Sequence, residues 1–319
     1  MGYPNACIII ASHISNIKRI SYLFECLKSF SKQSVPIIVY LSISFETPLL
    51  HRIFSSAYSD HKDLHSESLF LCIKTTKTPQ MRHIDQLLPL INVKHTWVMF
   101  CDDDDTYDSN RVLAILQTIV NCQEQIKQYP DKTLAGVYES TFGKTHQEQR
   151  HEFWCYCVHS SILTRFYNII RKYPAILDHK CCDVLFGEYL RRLSPEKYLF
   201  GTITDKYYNY RVDNNSDSIT GEIKQKMTKI RTPKYMITDT NRIECAKDLN
   251  EYLKTELHFY IHDTYLRTII GTSFTDILRS EFKTEYEILE LIDQKYIREL
   301  RDYYEQLRIV ANQVYDVPI

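Results

Sequence analysis

Four short apolar runs without polar interruption divide the first 110 residues: Cys7–Ala11, Pro36–Leu41, Leu69–Ile73 and Trp97–Cys101. A strand with one face in water alternates polar and apolar side chains, whereas a strand covered on both faces does not. Segments of helical spacing fill the gaps, at Ile17–Phe30, at residues 47–58 and at about Gln80–Asn92. Strands covered on both faces and separated by helices predict an α/β domain with a mixed, mostly parallel sheet. In open sheets of this kind, ligands bind beyond the carboxyl ends of the strands. The fourth run ends directly in Asp102-Asp103-Asp104-Asp105.

Further elements are expected after the aspartates: a helix at Asn110–Gln128, strands at Leu134–Tyr138 and Glu152–Val158, and helices at Ser160–Tyr173 and Asp183–Leu193. Beyond about residue 236 the pattern is helical throughout. Thr284-Glu285-Tyr286-Glu287 reads as a capping box. After it, Leu289, Ile292, Tyr296, Leu300, Tyr303, Leu307, Val310 and Val314 form one apolar stripe, suited to packing or to a homodimer. The expected division is an α/β domain over 1–235 and an all-helical extension over 236–319.

Composition excludes several classes. A net charge of −1 provides no field for nucleic acid, and the tyrosines do not interleave with a basic stripe. No apolar stretch of about 18 residues occurs, so no membrane-spanning helix is expected. The ten cysteines lack zinc-knuckle spacing, and without a secretory signal they read as reduced thiols of a cytoplasmic protein. There is no phosphate-cradling glycine loop and no dinucleotide fingerprint. His258 and His262 share a helical face, but Phe259 stands where a zinc protease carries glutamate.

Four adjacent carboxylates repel one another unless a cation lies among them. Here they close an apolar strand, and structure resumes at once through Thr106 and Tyr107, which favours a site for Mn²⁺ or Mg²⁺ over a solvated patch. Phe100-Cys101-Asp102-Asp103-Asp104-Asp105-Thr106-Tyr107, with Arg111 four residues on, resembles the DxD region of GT-A-fold glycosyltransferases of the family 2 type. The resemblance implies that Asp104 binds the metal, with Asp102 and Asp105 in the same set, and that Asp102 or Asp103 faces the ribose; the run fits two registers. It also implies that Ala11, Ser12 and His13 meet the nucleotide, with Gln80, Arg82 and His83 nearby. Ser42 stands on the second strand, after which the family carries aspartate. His179–Arg192 resembles the family's base motif, implying Asp183 as catalytic base and Asp178 as competitor. Trp154 falls on the acceptor side, and Asp213, Asn214 and Asn215 would form a loop over the donor.

The implied activity is a metal-dependent transfer from a nucleotide-diphosphate sugar, with UDP as the expected nucleotide, to a glycan, protein or small-molecule hydroxyl with inversion. A sugar nucleotidyltransferase and a non-catalytic assembly protein are the alternatives.

Overall fold

The computed structural model describes residues 2–64, 67–140, 143–211, 240, 242–282 and 290–319. The chain separates into two compact units, Met1–Arg211 and Val212–Ile319. The loop expected at Asp213–Asn215, the capping box at Thr284–Glu287 and Leu289 lie outside the described residues.

The first unit is built on strands β1 (Ala6–Ile14), β2 (Ile38–Phe45), β3 (Leu69–Ile73), β4 (Trp97–Asp102), β5 (Thr106–Tyr107), β6 (Thr133–Glu139), β7 (Tyr156–His159), β8 (Tyr198–Ile203) and β9 (Tyr208–Asn209). Seven of them form one sheet in the order β3-β2-β1-β4-β7-β6-β8, while β5 and β9 pair separately. β1, β2, β3 and β4 run parallel, as do β6 and β8; β7 is antiparallel to both of its neighbours. The sheet is therefore mixed and mostly parallel, as the uninterrupted apolar runs require. Its helices are α1 (Ile17–Ser31), α2 (Pro48–Asp60), α3 (Gln80–Lys94), α4 (Arg111–Gln125), α5 (Ser160–Ile170), α6 (Pro174–Leu177) and α7 (Cys182–Arg191). Ile8, Ile10, Leu41, Val98 and Phe100 are wholly buried at the centre of the sheet.

Register positions the acidic run. Ala11 lies opposite Ser42 on one side and Asp102 on the other. The carboxyl ends of three parallel strands thus converge on one rim of the sheet.

Two local expectations change. Phe153–Cys155 is a 3-10 turn, so the strand expected from Glu152 begins only at Tyr156. β8 has no counterpart in the sequence reading. It sits at the sheet edge, where half-buried side chains and Gly201 dilute the apolar signal.

The second unit holds α8 (Arg242–Ile269), α9 (Phe274–Phe282) and α10 (Gln294–Val314). The apolar stripe does not lie on one helix from residue 284. α10 starts at Gln294, where the Asp293 side chain accepts the Lys295 backbone N–H at 3.0 Å. Tyr296 and Leu300 join a core with Leu253, Leu278 and Ile292, so this part of the stripe serves packing. Among the described residues no helix is long and apolar enough to cross a membrane.

One buried ion pair ties the first unit together below the rim. Arg111, at the start of α4, is fully buried and donates from Nε to Glu139 at 3.0 Å and from Nη2 to the Trp154 carbonyl at 2.8 Å. Its guanidinium lies over the rings of Tyr107 and Tyr208, 4.0 and 4.7 Å from their centroids. Glu139, at the end of β6, accepts the backbone N–H groups of Tyr207 at 2.7 Å and Tyr208 at 2.9 Å. Removing one member strands a buried charge, whereas replacing both with apolar groups does not. Glu139→Leu is expected to lower stability by about 3–5 kcal/mol, and Arg111→Met with Glu139→Leu by clearly less than the two single changes summed. Urea unfolding of the three variants checks this; a single-variant loss under about 1 kcal/mol would contradict it.

Candidate active site

Burial alternates along the acidic run. Asp103 and Asp105 are buried, and Asp102 and Asp104 are partly exposed. Each inward carboxylate has its own partners. Asp103 accepts the Ser12 hydroxyl at 2.5 Å and pairs with the Arg19 guanidinium from α1. Asp105 accepts the Tyr208 hydroxyl and the Arg211 backbone N–H, both at 2.7 Å. With one partner on each oxygen, Asp105 ties down the segment that carries β9 and Arg211. Burial lifts its carboxyl to about 6 even so, against the opposing pull of those two hydrogen bonds.

The outward pair is held more lightly. Asp102 accepts from the Gln80 side chain at 3.0 Å, and its own N–H donates to the Tyr208 hydroxyl at 3.1 Å. Asp104 lies 3.6 Å from Arg19, while its carbonyl accepts from Arg211 Nε at 2.8 Å. The Asp102 carboxyl is pushed well above its usual range by burial, then by the charges of Asp105, Asp104, Asp183 and Asp103. Two outward carboxylates one residue apart, in a negative field, offer hard oxygen donors suited to Mn²⁺ or Mg²⁺. Of the two registers the sequence allowed, Asp102-x-Asp104 is the one in which both residues are partly exposed.

Asp183 sits in the first turn of α7. Its Oδ1 is buried and has no hydrogen-bond partner among the described residues. Burial raises its carboxyl to about 7, with the Glu152 charge as the next cause, partly offset by the Val184 backbone N–H. Its effect on Asp102 brings it to the same rim as the acidic run. Asp178 is instead paired with Arg82, through Nε at 2.5 Å and Nη2 at 3.2 Å.

Several expected nucleotide contacts turn inward onto one another. His83 is buried between the Ser42 and Ser44 hydroxyls, at 2.8 Å from Nδ1 and 3.1 Å from Nε2. Burial lowers its pKa to about 4, so it is neutral near pH 7. Ser12 is committed to Asp103. His13 is half-buried, 2.9 Å from Ser44 through Nδ1 and 2.7 Å from Glu46 through Nε2. Lys77 meets the same Glu46 oxygen at 2.8 Å. Ser12, Ser42 and His83 therefore support the rim from beneath, while His13 belongs to its surface. Trp154 is buried and nearly parallel to Tyr208, with ring centroids 4.0 Å apart.

Arg19, Glu46, Tyr208 and Arg211 were not anticipated. Each is separated in sequence from the group it serves, so no local spacing marks it. Tyr208 lies in a stretch, Lys206–Val212, that alternates only in part.

No protein-family model and no curated protein sequence matches this chain. Among solved structures it is similar to S. aureus TarS (TM-score 0.44, 14% identity, covering 96% of this chain and 54% of that one). It is also similar to the mannosyltransferase PcManGT from Pyrobaculum calidifontis in complex with GDP-Man and Mn²⁺ (TM-score 0.45, 13% identity, 98% of this chain and 85% of that one). A third is 4-diphosphocytidyl-2C-methyl-D-erythritol synthase from Anaerococcus prevotii (TM-score 0.40, 14% identity, 69% of this chain and 96% of that one). The chain spans about half the length of that TarS structure. At TM-scores below 0.5 these likenesses add no weight to any reading of the site.

The electrostatics separate the two kinds of aspartate experimentally. A carboxyl raised above its unfolded pKa opposes folding once ionised, so its cost grows from about pH 4 upward and is absent below that. Asp102→Asn is therefore expected to stabilise the metal-free protein near pH 7.5, a gain that vanishes toward about pH 4. Arg19→Met, which leaves Asp103 buried without its cation, is expected to cost roughly 3 kcal/mol. Denaturant melts across pH test both; the opposite sign for either variant would refute this account of the run.

Proposed function

We propose that this chain is a divalent-cation-dependent glycosyltransferase that moves a sugar from a nucleotide-diphosphate donor, UDP-linked by expectation, to an acceptor hydroxyl with inversion. The observation that carries this reading is the alternation in the acidic run, which leaves Asp102 and Asp104 outward on the rim shared with Asp183. Asp102 and Asp104 would hold the cation, and a cation there neutralises charge on the leaving diphosphate. Gln80 steadies one oxygen of Asp102. His13, backed by Glu46 and Lys77, lies toward the nucleoside at the ends of β1 and β2.

Asp183 is the general base. It takes the proton from the acceptor hydroxyl, whose oxygen attacks the anomeric carbon. The bond from that carbon to the donor phosphate oxygen breaks on the opposite side, and the nucleoside diphosphate leaves. A base works best with a pKa near the working pH, and burial has moved Asp183 to about 7. Its Oδ1 is buried and unpartnered among the described residues, so no protein donor there competes for the proton.

Only the ionised carboxylate can act. The transfer rate is expected to rise tenfold per pH unit up to about pH 7 and to level off above it. Asp183→Asn is expected to lower kcat by about 10²–10⁴-fold and to flatten the acid limb. Transfer from a panel of nucleotide-sugars with Mn²⁺, followed across pH, provides the measurement. Undiminished turnover by Asp183→Asn would remove it as the base. Release of pyrophosphate from a nucleoside triphosphate, with no sugar transfer, would instead identify a nucleotidyltransferase.

A further inference from the structure

Beside the acidic run stands a group of aromatic rings that the transfer chemistry leaves without a role. Trp154 is near-parallel to Tyr208 and also to Tyr210, whose centroid is 5.7 Å away with a 15° interplanar angle. Tyr208 and Trp154 are buried, whereas Tyr210 is 54% exposed. The geometry points to Tyr210, backed by Trp154 and lying near the Glu152 carboxylate and the acidic run, as the seat of a pyranose ring, so that the acceptor is a carbohydrate. This rests on the transfer reading above and names its second substrate.

Three observations support that chemistry. First, a pyranose has an apolar C–H face and a polar hydroxyl edge. It suits an aromatic plane bordered by a few acceptor groups. Second, the platform is rigid before any ligand arrives. The Trp154 carbonyl is fixed by Arg111, and the Tyr208 N–H by Glu139. Glu152 opens the turn that carries Trp154, its carbonyl accepting the Cys155 N–H at 2.9 Å. Binding to such a surface avoids the entropic cost of ordering it. Third, the surroundings supply acceptor groups. The Tyr210 hydroxyl pKa is raised by burial and then by the charges of Asp105, Asp102, Asp104 and Glu152, which brings the ring to the mouth of the acidic run. Carboxylate oxygens favour a ligand edge that donates hydrogen bonds, as sugar hydroxyls do, over one that only accepts them.

The test is binding of the labelled full chain to an array of neutral and acidic glycans in Mn²⁺ buffer. Tyr210→Phe, Tyr210→Leu and Tyr210→Ala are run in parallel. Binding to one or more neutral glycans is expected, retained by Tyr210→Phe and weakened roughly tenfold or more by Tyr210→Leu and Tyr210→Ala, the scale of one aromatic contact. Tyr210→Leu keeps apolar bulk at an exposed position, so its loss of binding reads the ring and not the fold. No neutral glycan bound by the unaltered protein, or equal binding by all three variants, overturns the assignment. Mn²⁺-dependent hydrolysis of nucleotide-sugars by the unaltered protein is scored alongside. Its absence counts against the transfer reading, whereas its presence with glycan binding indifferent to Tyr210 counts against the platform alone.

Discussion

The buried pair of Arg111 and Glu139 fixes both halves of the site from below. Through one guanidinium nitrogen it holds the Trp154 carbonyl, and through one carboxylate oxygen it holds the backbone of Tyr207 and Tyr208. Tyr208 then reaches the acidic run from the other side, with its hydroxyl on Asp105 and on the Asp102 N–H. A charge pair taken out of water is poor value as a stabiliser on its own. Here it sets geometry: a helix start, a strand end and two aromatic rings are located by one set of hydrogen bonds.

That frame explains how four adjacent aspartates coexist. The strand places successive side chains on opposite faces, and the chain beyond Asp102 keeps the alternation of burial even where the sheet has ended. Asp103 and Asp105 face inward and find Arg19, Ser12, Tyr208 and the Arg211 backbone. Asp102 and Asp104 are left facing out, mutually repelled and with few partners. The inward pair stabilises the turn, and the outward pair keeps a negative charge density that a cation would relieve. Structure and chemistry thus draw on alternate residues of one run, which is why adjacent aspartates are expected to respond so differently to substitution.

Much of the fold was legible because β1, β2 and β4 are buried on both faces, and β3, though half-exposed at one edge, is an unbroken apolar run. The opposite edge strand, Tyr198–Ile203, was not, because Gly201 and Thr202 interrupt its apolar run. The start of α10 was displaced by about ten residues because an apolar stripe continues through a turn as readily as through a helix; only the Asp293 cap marks the boundary. In the site, the acidic run stood out by composition, but its alternation of burial was not legible from four identical residues. Ser12, Ser42 and His83 sit at the anticipated strand and helix ends, yet they bond to protein groups. A sequence shows that a polar side chain reaches the rim but not whether another side chain has already claimed it. Arg19, Glu139 and Arg211 act across separations of dozens of residues or more, beyond any spacing rule.

The central claim is that Asp102 and Asp104 together grip a divalent cation. The most direct measurement is an electron paramagnetic resonance titration of Mn²⁺, in which the sharp signal of the free ion falls as the ion is bound. The unaltered protein is expected to quench that signal at one equivalent, beyond what an added nucleoside diphosphate does alone, and the Asp102→Asn, Asp104→Asn double variant to leave it at the protein-free level. Equal quenching by the double variant, or no quenching by the unaltered protein, would contradict the account.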